Sequence, residues 1–205
     1  LAKDASNSDA DTTAVSGTLY TQLGSQTAVN ALVGSKSHAA MMYRNFRKIN
    51  KVTRVDMIPI SDNGTTYANT TIIFTTNADA DSTVYFSIGS ESDNTYTLDI
   101  TSGDTASTSA SALSALINAD TTCPVSSSPS TGTVTLTAKN AGTLGNFIGI
   151  AMDGTLPTTQ TVAVNAMSGG ATDPSMTTVF DVIEGLRYQT IVYPYYLTTS
   201  TITDI

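Results

Sequence analysis

The segment 165–176 reads NAMSGGATDPSM. Two adjacent glycines, Gly169 and Gly170, precede an Asp-Pro step, Asp173 and Pro174, and then an apolar pattern of helical spacing. A glycine turn at a helix N-terminus can cradle phosphate, because its backbone N–H groups and the helix dipole both attract an anion. Here Asp173 would bring a negative charge to the cap position, and no Gly-Lys-Ser/Thr follows. The pattern therefore reads as a structural hinge and helix cap. Gly169 and Gly170 make the turn, Asp173 caps, and Pro174 takes the first helical position, where proline loses no hydrogen bond. The run NAGTLGN at 140–146 lacks the same lysine and reads as a turn, with Gly142 and Gly145 supplying backbone freedom.

The remaining reactive residue types are sparse. NADAD at 77–81 has the alternating oxygen ligands that begin a calcium loop, but Ser82 stands where glycine is required and Ile88 where glutamate is required. A turn between two strands is the better reading. The one histidine, His38, has no Gly-x-Ser-x-Gly nucleophile elbow to serve, and reads as a helix-surface or interface residue. The one cysteine, Cys123, can form no internal disulfide and reads as a small buried strand residue. Glu91 and Asp93 fall on a solvated strand edge. No catalytic residue, metal-ligand set or cofactor site is assigned, and the chain reads as a non-enzyme without cofactors.

One charged constellation stands out. The net charge is −8, yet six of the nine basic residues lie between Lys36 and Arg54, a stretch without any acid. Arg44, Arg47, Lys48 and Lys51 fall opposite an apolar stripe of Ala39, Met42, Phe46 and Ile49 on one helical wheel. Such a face can be merely solvated, or can meet an acidic protein surface, or can bind phosphates. The last reading is the weakest: no aromatic residues interleave as a stacking platform, and the chain is acidic overall. The expected partner is protein, with no nucleic acid and no membrane insertion.

The elements that position these residues follow from periodicity. Serine and threonine number 23 and 37, a bias that suits the exposed faces of β-strands. Residues 35–50 read as a helix capped by Ser35, followed by a strand over Val52 to Ile60. YANTTIIFTT, STVYFSIGS and TYTLDIT read as three neighbouring antiparallel strands. A helix capped by Asp104 follows, with Ala106, Ala110, Leu113 and Ile117 as its apolar stripe. Further strands are expected over 123–127, 131–138, 147–152 and 160–165. After the capped helix at Pro174, with Met176, Val179, Phe180 and Ile183 inward, YQTIVYPYY reads as a buried strand. The expected architecture is α+β: a discontinuous α/β core of residues 1–64 with 167–205, truncated, interrupted by a largely antiparallel β-rich domain of residues 65–166 that carries one helix.

In order, VGSKSHAAMMYRNFRKIN, VTRVDMIPIS, GDTASTSASALSALINAD, GTVTLTAKNAGTLGN, AMSGGATDPSM and YQTIVYPYY resemble the core and inserted domain of contractile phage tail sheath proteins, in the branch that includes Mu-like phages. The resemblance covers about residues 28–197. It implies a virion structural subunit, assembled in the host cytoplasm, that stacks around a tail tube and shortens to drive the tube through an envelope. Its implied partners are other sheath subunits in a helical array, the tail tube and the baseplate. It also implies that this chain is the middle of a longer polypeptide and monomeric by itself, since family sheaths link through terminal arms. The competing expectation is a β-rich decoration or adhesive module on a virion surface.

Overall fold

The computed structural model describes residues 2–3, 13–61, 66–89, 94–174 and 177–192. Helices and antiparallel sheets are mixed, and the fold is α+β as expected.

Two short helices open the described chain. Helix α1 spans Gln26–Val33, capped by Ser25, whose hydroxyl accepts from the Ala28 amide. Helix α2 spans His38–Ile49. Its N-cap is Ser37, not Ser35, because Gly34 first ends α1 with φ of 83° and a turn intervenes. The two helices bury Val29, Leu32 and Val33 against Ala39, Ala40 and Tyr43, with Ala14 and Met57 closing the cluster. The inward stripe of α2 is thus small residues and one tyrosine. Phe46 and Ile49, expected inside, are 39% and 92% exposed, because α1 packs one position round the wheel.

The expected strand over Val52 to Ile60 is mostly absent. The Asn50 side chain accepts from the amides of Val52 and Thr53 and bends the chain there. Extended pairing begins only at Leu23 with Val55 and Tyr20 with Met57. A two-residue parallel pair joins β1, Ala2–Lys3, to β2, Ile60–Ser61.

Residues 66–171 form a β-rich body around one core. Strands β3 (Asn69–Thr75), β6 (Val125–Ser130), β7 (Thr133–Ala138) and β9 (Thr161–Val164) make one sheet, in the order β6-β7-β3-β9. Strands β4 (Ser82–Ile88), β5 (Thr95–Ile100) and β8 (Ile150–Gly154) make another, in the order β5-β4-β8. The expected three-strand meander is therefore corrected. β4 and β5 do pair, but β3 belongs to the other sheet. The linker Asn77–Asp81 crosses between sheets, held by Ala78 bonding both Asp104 and Gly103. Phe74 and Phe86 meet across the core with ring centroids 6.2 Å apart. Helix α3, Ala106–Ala119, lays Ala110, Leu113 and Ile117 on this core, all fully buried. Its cap is Thr105, accepting from Thr108, while the Asp104 carboxylate instead accepts from Thr101.

The body begins and ends at one place. Thr66 pairs with Ala171 and Asn69 with Ser168, so the incoming and outgoing chains lie side by side. A third apolar cluster joins Ile58 and Ile60 to Val179 of α4, Thr177–Ile183. The expected strand YQTIVYPYY is not seen in its described part: Tyr188, Ile191 and Val192 are exposed and unpaired in any sheet. Its remaining residues, together with Glu91, Asp93 and Met176, lie outside the described residues.

Candidate functional site

The basic helix face divides into a strut and an exposed remainder. Arg47 is built into the fold. Its Nε donates to the Tyr43 hydroxyl at 3.0 Å, Nη1 to the Thr53 carbonyl at 2.8 Å, and Nη2 to the Leu23 carbonyl at 3.2 Å. The guanidinium also lies 5.0 Å from the Tyr43 ring centre and 5.7 Å from that of Phe46, within cation–π range. Arg47 therefore ties α2 to both the preceding and the following segments. Lys48 and Lys51 are exposed, and Arg44 is half-buried. Arg54 forms an ion pair with Asp56 at 3.0 Å. Asp56 also accepts from the Gln22 amide at 2.8 Å and the Tyr188 hydroxyl at 3.3 Å. Burial pushes the Asp56 carboxyl up, but the bonds from Arg54 and Gln22 outweigh it and hold it below the usual carboxylate range.

The expected hinge segment is held by side-chain hydrogen bonds. Gly170 and Asn146 exchange two bonds, the Gly170 amide donating at 2.8 Å and its carbonyl accepting at 2.9 Å. A Cβ on Gly170 would stand 2.3 Å from the Gly142 carbonyl oxygen, so only glycine fits. Gly169, at φ of 86°, makes the turn before it. Pro174 is not helical, α4 is described over Thr177–Ile183, and the Asp173 carboxylate accepts from the Thr143 amide and hydroxyl, each at 2.7 Å; the amides of residues 175 and 176, which a cap at Asp173 would engage, lie outside the described residues. Pro174 is buried. The Gly170 and Ala171 amides are consumed by Asn146 and Thr66, which removes them from any phosphate cradle. Gly145 also departs from expectation. It serves close packing, since a Cβ there would meet that of Ala68 at 2.8 Å.

His38 is the first residue of α2, beside the contact between this turn and the β-rich body. There Ser35 donates to the Thr121 carbonyl at 3.5 Å, and Asn140 to that of Lys36 at 3.4 Å. The His38 Nδ1 is sealed from water without a hydrogen-bond partner. Burial drops the imidazole pKa to about 4, so the ring is neutral at pH 7, and no carboxylate among the described residues bonds its Nδ1 to orient it as a base.

A polar cluster not foreseen from sequence surrounds Asp120 at the end of α3. Its carboxylate accepts from the Tyr96 hydroxyl at 2.8 Å, Asn94 at 3.1 Å, and the Thr122 amide and hydroxyl at 2.7 and 2.8 Å. The local signal was Asp-Thr-Thr after an apolar helix stripe, an Asx turn; its partners Tyr96 in β5 and Asn94 just before it are 24 and 26 residues away in sequence. Four donors satisfy the carboxylate and leave it a structural knot. Cys123 beside it is fully buried, and burial pushes its thiol up, away from nucleophilic character. Asp79 and Asp81 of the calcium-like run bond the amides of Thr159 and Ser102. Among the described residues no group of three or more metal-ligating side chains occurs, and no helix is long and apolar enough to cross a membrane.

Exposed apolar surface occurs at the end of α2 and the bend after it. Ile49 and Val52 are 92% and 93% exposed there, with Lys48 and Lys51 between and beside them. Opposite chemistry appears at a cleft of about 120 Å³ lined by Leu19, Ile58, Phe180, Ile183, Ile191 and Val192, with Asp56 in its wall. No protein-family model matches the chain, and no curated protein matches it.

Proposed function

We propose that this chain is the middle part of a structural subunit of a contractile phage tail sheath, which assembles around a tail tube and shortens to drive it through the host envelope. In this reading residues 1–64 and 167–205 form one unit and residues 65–166 an inserted one. The observation that carries it is the way the β-rich body is mounted. Its two ends emerge together at Thr66 and Ala171, and the Asn140–Lys36 and Ser35–Thr121 bonds hold it beside the turn between α1 and α2. An assembly that changes shape needs such preformed bodies, because reorganisation then falls on contacts between them. The ordered succession of sheath-like segments supports the same reading.

Negative-stain electron microscopy of the longer polypeptide carrying this chain tests it. Hollow striated tubes are expected. Dispersed particles under all assembly conditions would replace the sheath reading with a surface decoration or adhesive module, for which the serine-rich, exposed strand β6 is suited.

A further inference from the structure

We infer that the end of α2 is a knob that docks into the apolar cleft of a second copy of this chain, head to tail. The knob is Ile49 and Val52, each more than nine-tenths exposed. Its shape is set before any partner arrives. Asn50 accepts from the Val52 and Thr53 amides and donates to the Thr53 hydroxyl at 2.7 Å, while Arg47 holds the Thr53 carbonyl. A preformed knob loses little conformational entropy on docking.

The cleft matches it in size and sign. Its volume of about 120 Å³ is on the scale of the ~150 Å³ apolar cavities that accept a benzene-sized group, so it suits a branched aliphatic side chain rather than a helix. Asp181 and Glu184 are exposed sequence neighbours of the lining residues Phe180 and Ile183, against one exposed cation, Arg187, next to the lining Tyr188, so acids outnumber it there. Lys48 and Lys51 flank the knob. The two surfaces are therefore apolar centres with opposite charge at their edges, the arrangement that favours encounter and register. Ile49 and Val52 do not line their own chain's cleft. A knob and a hole at different places on one surface make a heterologous contact, which repeats into chains or rings.

This contact lies within the described residues and does not use the terminal arms to which the resemblance assigns linkage. It depends on the sheath reading for its place in a tail, not for its existence in solution.

Sedimentation velocity from micromolar to millimolar concentration is the test. The chain is expected to self-associate with rising concentration. The double variant Ile49→Asp, Val52→Asp and the double variant Ile191→Asp, Val192→Asp should each weaken this about tenfold or more. An equimolar mixture of the two should form dimers and nothing larger, since each pair has one intact knob and one intact cleft. That recovery excludes misfolding as the cause of either loss. A wild-type chain that stays monomeric throughout, variants that associate like wild type, or a mixture without dimers would each overturn the contact. A cleft variant that loses thermal stability while the wild-type chain is monomeric would assign the cleft to the chain's own residues 193–205, and also overturn it. Tubes from the longer polypeptide with a monomeric chain would remove the knob contact and leave the sheath; association without tubes would do the reverse.

Discussion

Arg47 shows how far a side chain's role depends on what stands next to its helix. On a wheel it belongs with Arg44, Lys48 and Lys51; in the fold it carries hydrogen bonds to three segments. Replacing Arg47 with alanine should destabilise the protein by about 1–3 kcal/mol, because hydrogen bonds to a charged group are lost together with its packing on Tyr43. Lys51→Ala should change stability by less than about 0.5 kcal/mol. Urea unfolding of the two variants checks the contrast, and equal effects would refute the strut. His38 makes a second prediction. Its folded pKa of about 4 lies below the ordinary 6.5, so the unfolded chain takes up a proton that the folded chain refuses. Stability is therefore complete above pH 6.5 and falls toward pH 4, by up to about 1.4 kcal/mol per pH unit. His38→Gln should flatten the urea midpoint across that window. Below pH 3.8 a further loss is expected in both proteins, because Asp56 and Asp120 are held below their ordinary value and their stabilisation disappears as they protonate.

At the scale of elements, the cap of α3 separates two neighbouring candidates. Thr105 bonds the Thr108 amide, so Thr105→Ala should cost about 1 kcal/mol and Thr105→Ser should restore most of it. Equal melting of the alanine variant and wild type would return the cap to Asp104. Much of α3 was legible in the sequence because Ala110, Leu113 and Ile117 repeat at helical spacing and face a single layer. The strands were legible for the same reason: β5 alternates exposed and buried residues along its whole length. Their partners were not. β3 takes β7 and β9, whose paired residues lie 60 or more positions away, and local alternation says nothing about which edge will arrive. The candidate surface was half legible. Its basic residues could be read as a cluster, but within the knob Ile49 has, with Phe46, the spacing of an inward stripe, and Val52 opens a strand-like run. The bond of Asp173 to Thr143 was not legible, because the two lie 30 residues apart in sequence.

For the whole molecule, the β-rich body has its own core and paired ends, so residues 66–171 should fold when produced alone. A cooperative thermal transition and dispersed amide resonances are expected; a chain without either would show that α1 and α2 are needed to complete it. The mounting of that body has a mechanical consequence. Two backbone segments enter the body side by side at Thr66 and Ala171, so a pull on the body is shared by covalent chains in parallel. The cross-bonds at Asn69 and Ser168 lie across the direction of pull and carry little of it. Sideways bending is opposed instead by small clasps such as Thr143 on Asp173 and Asn140 on Lys36. The joint is a strap hinge, stiff in tension and latched against swinging, and a load that opens those clasps can reorient the body without spending any of its core.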